Sequence, residues 1–170
     1  MCSFFIINMI CCNYYFSGAY MKERLIAYFI ILLLVIISDQ SLKRYFVKHY
    51  GINSVMPLKN KRYRICVMKN KGAFLGLGKK YPAAVALITA GLIFVLLVYC
   101  LVSDEPEIMR CALAALLSAA VSNLIDRITY KGVIDYLSIR ILNRNIVINL
   151  ADVIIFASAG VYLISDLFYK

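Results

Sequence analysis

From Tyr81 to Val102 the chain runs without a single charged residue. About 20 apolar residues in a row are what an α-helix needs to cross the hydrocarbon core of a bilayer. Three further apolar segments accompany this one: Leu25 to Ser38, Cys111 to Ile125, and Ile146 to about Ile164. The first and third reach spanning length only with a polar turn at one end. The fourth does so only if Asn149 and Asp152 avoid lipid. Composition agrees, with 63% apolar residues, 16% charged and a mean hydropathy of +0.80. A soluble domain of this size keeps about a quarter of its residues charged. The excess apolar surface must face something other than water, so the sequence predicts a membrane α-helical protein of four transmembrane helices with both termini on one side.

The formal net charge is +10, which raises nucleic acid as a partner. The basic residues lie between apolar runs and not along a soluble helix or sheet, so no nucleic acid is expected and lipid headgroups are the simpler counterpart. The six cysteines show no CxxC pair and no zinc spacing, which excludes a metal site of that kind and makes a disulfide framework an unsuitable reading. Residues 1–20 carry no charge, whereas a signal peptide opens with a basic segment. Met21, followed by Lys22, Glu23 and Arg24 and then an apolar run, reads as a membrane-protein start. Residues 1–20 are then either an over-extended reading frame or a genuine N-terminal tail, and residues 21–170 form the membrane domain.

Between the first two spans lie segments with a different period. In residues 61–69, Tyr63, Ile65 and Val67 alternate with Arg62 and Arg64, a period of two that predicts a strand. Asn70-Lys71-Gly72 reads as a turn after it. Residues 126–145, with Gly132 and a β-branched stretch, are a second region of this kind, so a small sheet is expected at one membrane surface. Asp39 to Lys80 contains eleven Lys and Arg, and the link between the second and third spans contains Asp104, Glu105 and Glu107 against Arg110. The positive-inside rule would put the basic region in the cytoplasm.

Ionisable residues within or at the edge of spans are costly and are therefore candidates for function. Asp39 and Lys43 stand four apart with the acid first, a favourable helix pair that reads as a salt bridge closing the first helix. Asn123, Asp126 and Arg127 form a second group, either a polar network holding a helix end or a set of donors for a peptide backbone. Asp135 with Asn149 and Asp152 is the third. Short connections let Asp135 and Asp152 converge at the membrane surface. Two close carboxylates cannot both ionise cheaply, so they share a proton. The ionised member can activate water and the protonated member can donate to a peptide carbonyl. A proton or ion pathway in a small transporter, or a non-catalytic membrane scaffold, is the alternative use of the same residues. The one histidine, His49, lacks a partner for a Ser-His-Asp triad, and no Gly-rich phosphate loop occurs.

In order along the chain, Asp39-Gln40-Ser41-Leu42-Lys43, Asn70-Lys71-Gly72-Ala73-Phe74, Asn123-Leu124-Ile125-Asp126-Arg127, Gly132-Val133-Ile134-Asp135-Tyr136 and Asn149-Leu150-Ala151-Asp152 resemble the motifs of the lipoprotein signal peptidase (signal peptidase II) family. The resemblance covers roughly residues 22–167. It implies four transmembrane helices with a small extracytoplasmic β-cradle. The activity it implies is an aspartyl endopeptidase that removes signal peptides from bacterial prolipoproteins, cutting on the N-terminal side of a diacylglyceryl-modified cysteine. Carried over residue by residue, Asp135 and Asp152 are the catalytic aspartates. Asn70, Asn123, Arg127 and Asn149 line the substrate site, and Asp39, Lys43 and Asp126 are supporting polar residues. The resemblance implies no metal or organic cofactor, diacylglyceryl-modified prolipoprotein substrates and membrane lipids as partners, a monomer, and a multi-pass protein of the bacterial plasma membrane with its active site at the extracytoplasmic face. Three features depart from the family pattern. Ser122 stands where the family has Gly, with consequences for helix packing. Phe74 follows Ala73 directly, which bears on the substrate side of the site. The basic region falls outside the cell against the charge rule, where anionic headgroups are its expected neighbours.

Overall fold

The computed structural model describes residues 2–58, 62–72, 78–141 and 144–169, with side chains from Leu25 onward. In chain order the elements are α1 (Cys2–Tyr50), β1 (Ser54–Pro57), β2 (Tyr63–Asn70), α2 (Pro82–Val102), α3 (Glu107–Tyr130), β3 (Val133–Ile141), β4 (Arg144–Ile148) and α4 (Leu150–Tyr169). Four of these, counting α1 from Leu25 to Tyr50, are helices long and apolar enough to cross a membrane. The four strands form one antiparallel sheet in the order β1-β2-β3-β4.

The helix ends have local causes. Pro82 opens α2, where a missing N–H costs nothing. Gly51, at φ 77°, ends α1 and donates its N–H to the Val47 carbonyl at 3.0 Å, a left-handed cap. Lys131, also left-handed at φ 55°, ends α3. The next residue, Gly132, could not carry a side chain: a Cβ there would lie 2.9 Å from the Asn70 carbonyl oxygen. That close approach brings the end of β2 against the start of β3.

Three element boundaries differ from the sequence expectation. The first helix continues past Ser38 to Tyr50 because its charges at Asp39 and Lys43 are met by α3. The third continues past Ile125 to Tyr130, so the polar group at 123–127 lies inside the helix. Ile146–Ile148 belong to β4 and not to the fourth helix, which begins at Leu150. The turn after β2 is present in part, with the Gly72 N–H donating to Asn70 Oδ1 at 3.1 Å. Ala73 and Phe74 lie outside the described residues.

The helices are arranged around α3, which packs against α1, α2 and α4, while α2 and α4 meet through the Tyr99 and Tyr162 hydroxyls at 2.8 Å. α3 is accordingly the most buried helix, and α2 presents apolar side chains such as Leu87, Leu92 and Leu101 outward. Burial there needs small residues, and Ala112, Ser118, Ala119 and Ser122 supply them. The sheet sits on the C-terminal turns of α1. Val67, Ile134 and Tyr136 are buried against Phe46, Val47 and Tyr50. The Phe46 and Tyr136 rings stack at 4.3 Å between centroids. The Tyr136 hydroxyl accepts the Leu150 N–H at 3.0 Å and so ties α4 to the sheet.

Candidate active site

The polar centre is built outward from α1. Asp39 and Lys43 form the expected ion pair at 2.6 Å, and Lys43 also meets Asp126 at 2.9 Å. A third bond from Lys43 Nζ reaches Asn123 Oδ1 at 2.9 Å. An ammonium has three donors, and all three are used in a site where Lys43 is 2% exposed and both aspartates are fully buried. Asp39 also accepts from the Ala151 N–H at 3.0 Å, and Asp126 from the Ile134 N–H at 3.1 Å. The two carboxylates therefore fix where α4 begins and where β3 runs.

Gln40 and Ser122 belong to this network; the sequence marked Ser122 only as a departure from the family pattern and gave Gln40 no role of its own. Gln40 Nε2 donates to Asp126 Oδ1 at 2.8 Å and to Ser122 Oγ at 3.1 Å. The Ser122 hydroxyl donates to Asp39 Oδ2 at 2.6 Å. The residue that departs from the family pattern is thus absorbed as a hydrogen-bond relay between α1 and α3.

Asn149 and Asp152 close the first turn of α4 on each other. The Asp152 N–H donates to Asn149 Oδ1 at 2.9 Å, and the Asn149 N–H donates to Asp152 Oδ2 at 3.3 Å. This is a capping box, with the reciprocal bonds that satisfy two otherwise orphaned donors. Asp152 Oδ1 accepts from Asn123 Nδ2 at 3.0 Å. Asp135, from β3, accepts from Asn149 Nδ2 at 2.8 Å and from Asn70 Nδ2 at 3.2 Å. Each carboxylate is therefore oriented by asparagine amides, and Asn149 serves both. Asn149 is 1% exposed and its amide is spent on protein partners.

Asp135 and Asp152 open on one cavity of about 470 Å³, which Asn70, Asn123 and Arg127 also line. Lys79 and Thr89 face it from the α2 side, and Ile155 and Phe156 continue it along α4. Asp135 is held well above the ordinary carboxylate range, at about 7. Burial is the main cause and the neighbouring charge of Asp152 the second; the donors Asn70 and Asn149 and the charge of Lys43 oppose them. Burial also raises the Cys66 thiol, with the Asp135 charge adding to it. Arg127 donates through one terminal nitrogen to the Asn123 carbonyl at 3.1 Å, while its Nε is buried with no hydrogen-bond partner. Asp126 and Arg127 diverge as adjacent helix residues must, the first toward Lys43 and the second toward the cavity.

The arrangement is one in which a water molecule and a carbonyl group can be held between two carboxylates, one protonated near neutral pH, with a cationic donor beside them. The family described as signal peptidase (SPase) II matches residues 31–168. The chain is 34% identical over 160 residues to the lipoprotein signal peptidase of Syntrophus aciditrophicus (strain SB), covering 88% of this chain and 97% of that one. It is 30% identical to that of Moorella thermoacetica, over 75% of this chain and 84% of the relative. To that of Bacillus subtilis (strain 168) it is 29% identical, over 74% and 82%. A solved bacterial membrane enzyme superposes with a TM-score of 0.72 at 23% identity, covering 83% of this chain and 87% of that one, a likeness of fold.

Proposed function

The chain belongs to the signal peptidase II family, a membrane protease that removes signal peptides from prolipoproteins, and from that premise we propose that Asp135 and Asp152 are its catalytic pair. The observation that carries the reading is the convergence of these two carboxylates, from β3 and α4, on a single cavity where one of them keeps its proton to about pH 7.

The pair holds one proton between its members and titrates as a unit. Asp152 takes a proton from the attacking water while Asp135 donates one to the scissile carbonyl oxygen. A tetrahedral intermediate forms without a covalent bond to the enzyme. The guanidinium of Arg127, which lines the cavity, supplies a charge-assisted donor for a peptide carbonyl. Asn70 and Asn123 touch both the carboxylates and the cavity, so they hold the pair and meet substrate. Asn149 acts from behind by fixing both acids. Asp39, Lys43 and Asp126 support the site from α1 and α3. The substrate is a prolipoprotein cut on the N-terminal side of its diacylglyceryl-modified cysteine. The site faces the extracytoplasmic side of the bacterial plasma membrane, where such a cysteine lies, and the basic segments there meet anionic headgroups. One chain supplies every residue named, in keeping with a monomer.

The test is incubation of purified membranes carrying the chain with a diacylglyceryl-modified prolipoprotein. Loss of the signal peptide on a gel is expected with the parent chain and with neither Asp135→Asn nor Asp152→Asn. Normal processing by either variant would overturn the assignment of the pair.

A further inference from the structure

The outer edge of β4 opens onto the same cavity, and it does so in a way that the other strands do not. Successive side chains of a strand point to opposite faces of its sheet, so a cavity lying on one face touches every second residue. β2 follows this rule, lining the cavity with Met68 and Asn70, and β3 does so with Val133 and Asp135. On β4 the lining residues are consecutive: Asn145, Ile146, Val147 and Ile148. Four residues in a row meet one cavity when it runs along the strand's edge. β4 is the last strand of the sheet, bonded to β3 on one side, and among the described residues no strand pairs with its other side. A row of backbone N–H and C=O groups therefore faces the cavity.

We propose that the part of the prolipoprotein just beyond the scissile bond binds along this edge as an added antiparallel strand. The proposal rests on the reading of Asp135 and Asp152 as the catalytic pair. Register places the edge next to them. Ile148 is paired with Leu137, and each step back along β3 is a step forward beyond Ile148, so Asp135 lies level with Leu150, just past the end of β4. The direction of the substrate follows from the rest of the cavity. Ile155 and Phe156 on α4 continue it as an apolar path, suited to the apolar core of a signal peptide. With that core along α4 and the scissile bond at the two acids, the residues that follow leave along β4 from Ile148 toward Arg144. That is opposite to the direction of β4 itself. Recognition of this kind does not depend on which side chains follow the cut, because strand addition takes its affinity from backbone hydrogen bonds.

The experiment uses the full-length enzyme in lipid nanodiscs and synthetic diacylglyceryl-cysteine substrates. Backbone amides after the modified cysteine are N-methylated one at a time. Each methyl group removes a donor, and it blocks strand pairing where that N–H points at β4. KM is expected to rise about three- to tenfold at every second position, the loss of one or two net backbone hydrogen bonds, with kcat nearly unchanged. The intervening positions, and side-chain exchanges at any of them, are expected to leave KM within about twofold, since they do not touch a ladder bond. Uniform tolerance of N-methylation, or a KM that follows side-chain identity instead, would overturn the proposal. Cleavage of the unmethylated substrate by Asp135→Asn would overturn the catalytic reading alone, because the methylation pattern is measured on the parent enzyme.

Discussion

Asp135 is 2% exposed and shares its cavity with a second carboxylate, and two predictions belong to that single residue. Asp135→Asn and Asp152→Asn each lower processing by about 10²–10⁴-fold, the range for a lost acid or base. The double variant is expected to be little worse than either, because the two act as one unit. Single-turnover assays on the three variants measure this, and additive losses would speak against a shared proton. The second prediction concerns pH. The unfolded chain releases the Asp135 proton near 3.8, whereas the native site holds it to about 7. Between those values the unfolded state binds fewer protons, so this group takes stability away as pH rises and adds no further loss above about 7. The Tm of Asp135→Asn relative to the parent should therefore climb from about pH 4 to about pH 7 and then level off, as followed by thermal denaturation in detergent. Both acids were legible in the sequence because a charge among apolar residues is costly enough to stand out. The hydrogen-bonding roles of Gln40 and Ser122 were not, since an amide or hydroxyl on an apolar helix is cheap and their partners lie more than eighty residues away in the chain.

At the scale of elements, Asp39 joins three of them: Lys43 on its own helix, Ser122 on α3 and Ala151 at the start of α4. Asp39→Asn keeps the volume and removes the charge that balances Lys43. A loss of roughly 1–3 kcal/mol is expected, the cost of weakening a buried charged hydrogen-bond network. Turnover of the folded fraction should fall by less than about tenfold, since Asp39 does not line the cavity and no proton-transfer group is lost. Chemical denaturation and kcat on the same preparation separate the two, and a collapse of kcat at unchanged stability would give Asp39 a chemical role. The helices were readable from their apolar runs, but β4 was not. Ile146-Val147-Ile148 is continuous in hydropathy with the helix that follows. The separating signals were chemical: a β-branched triplet, then Asn149 with an acid three residues later, the pattern of a helix start.

For the whole molecule, the antiparallel pairing of β2 with β3 puts the segment after α1 and the segment after α3 on one side of the bundle. Reporters placed at residue 60 and between Ile141 and Arg144 should share a side, and a reporter at residue 105 should lie opposite. We expect the first two outside the cell. The reverse orientation would uphold the charge rule and turn the two acids away from their substrate. Deletion of residues 2–20 should preserve insertion and processing, because the site and the matched family region, residues 31–168, lie beyond that segment. Loss of activity at normal expression would give the segment a role.

The pairing of Asp39 with Lys43 within one helix also has a consequence for biosynthesis. α1 leaves the ribosome long before Asn123 and Asp126 exist, and an unpaired charge within a span costs a nascent helix up to about 2.5–3.5 kcal/mol, the value at the helix centre on insertion scales. With its acid and base one turn apart, α1 carries its own counter-ion and enters lipid as a neutral unit. The pair then waits in the bilayer as a ready-made socket, into which Asp126 and Asn123 plug when α3 is threaded beside it.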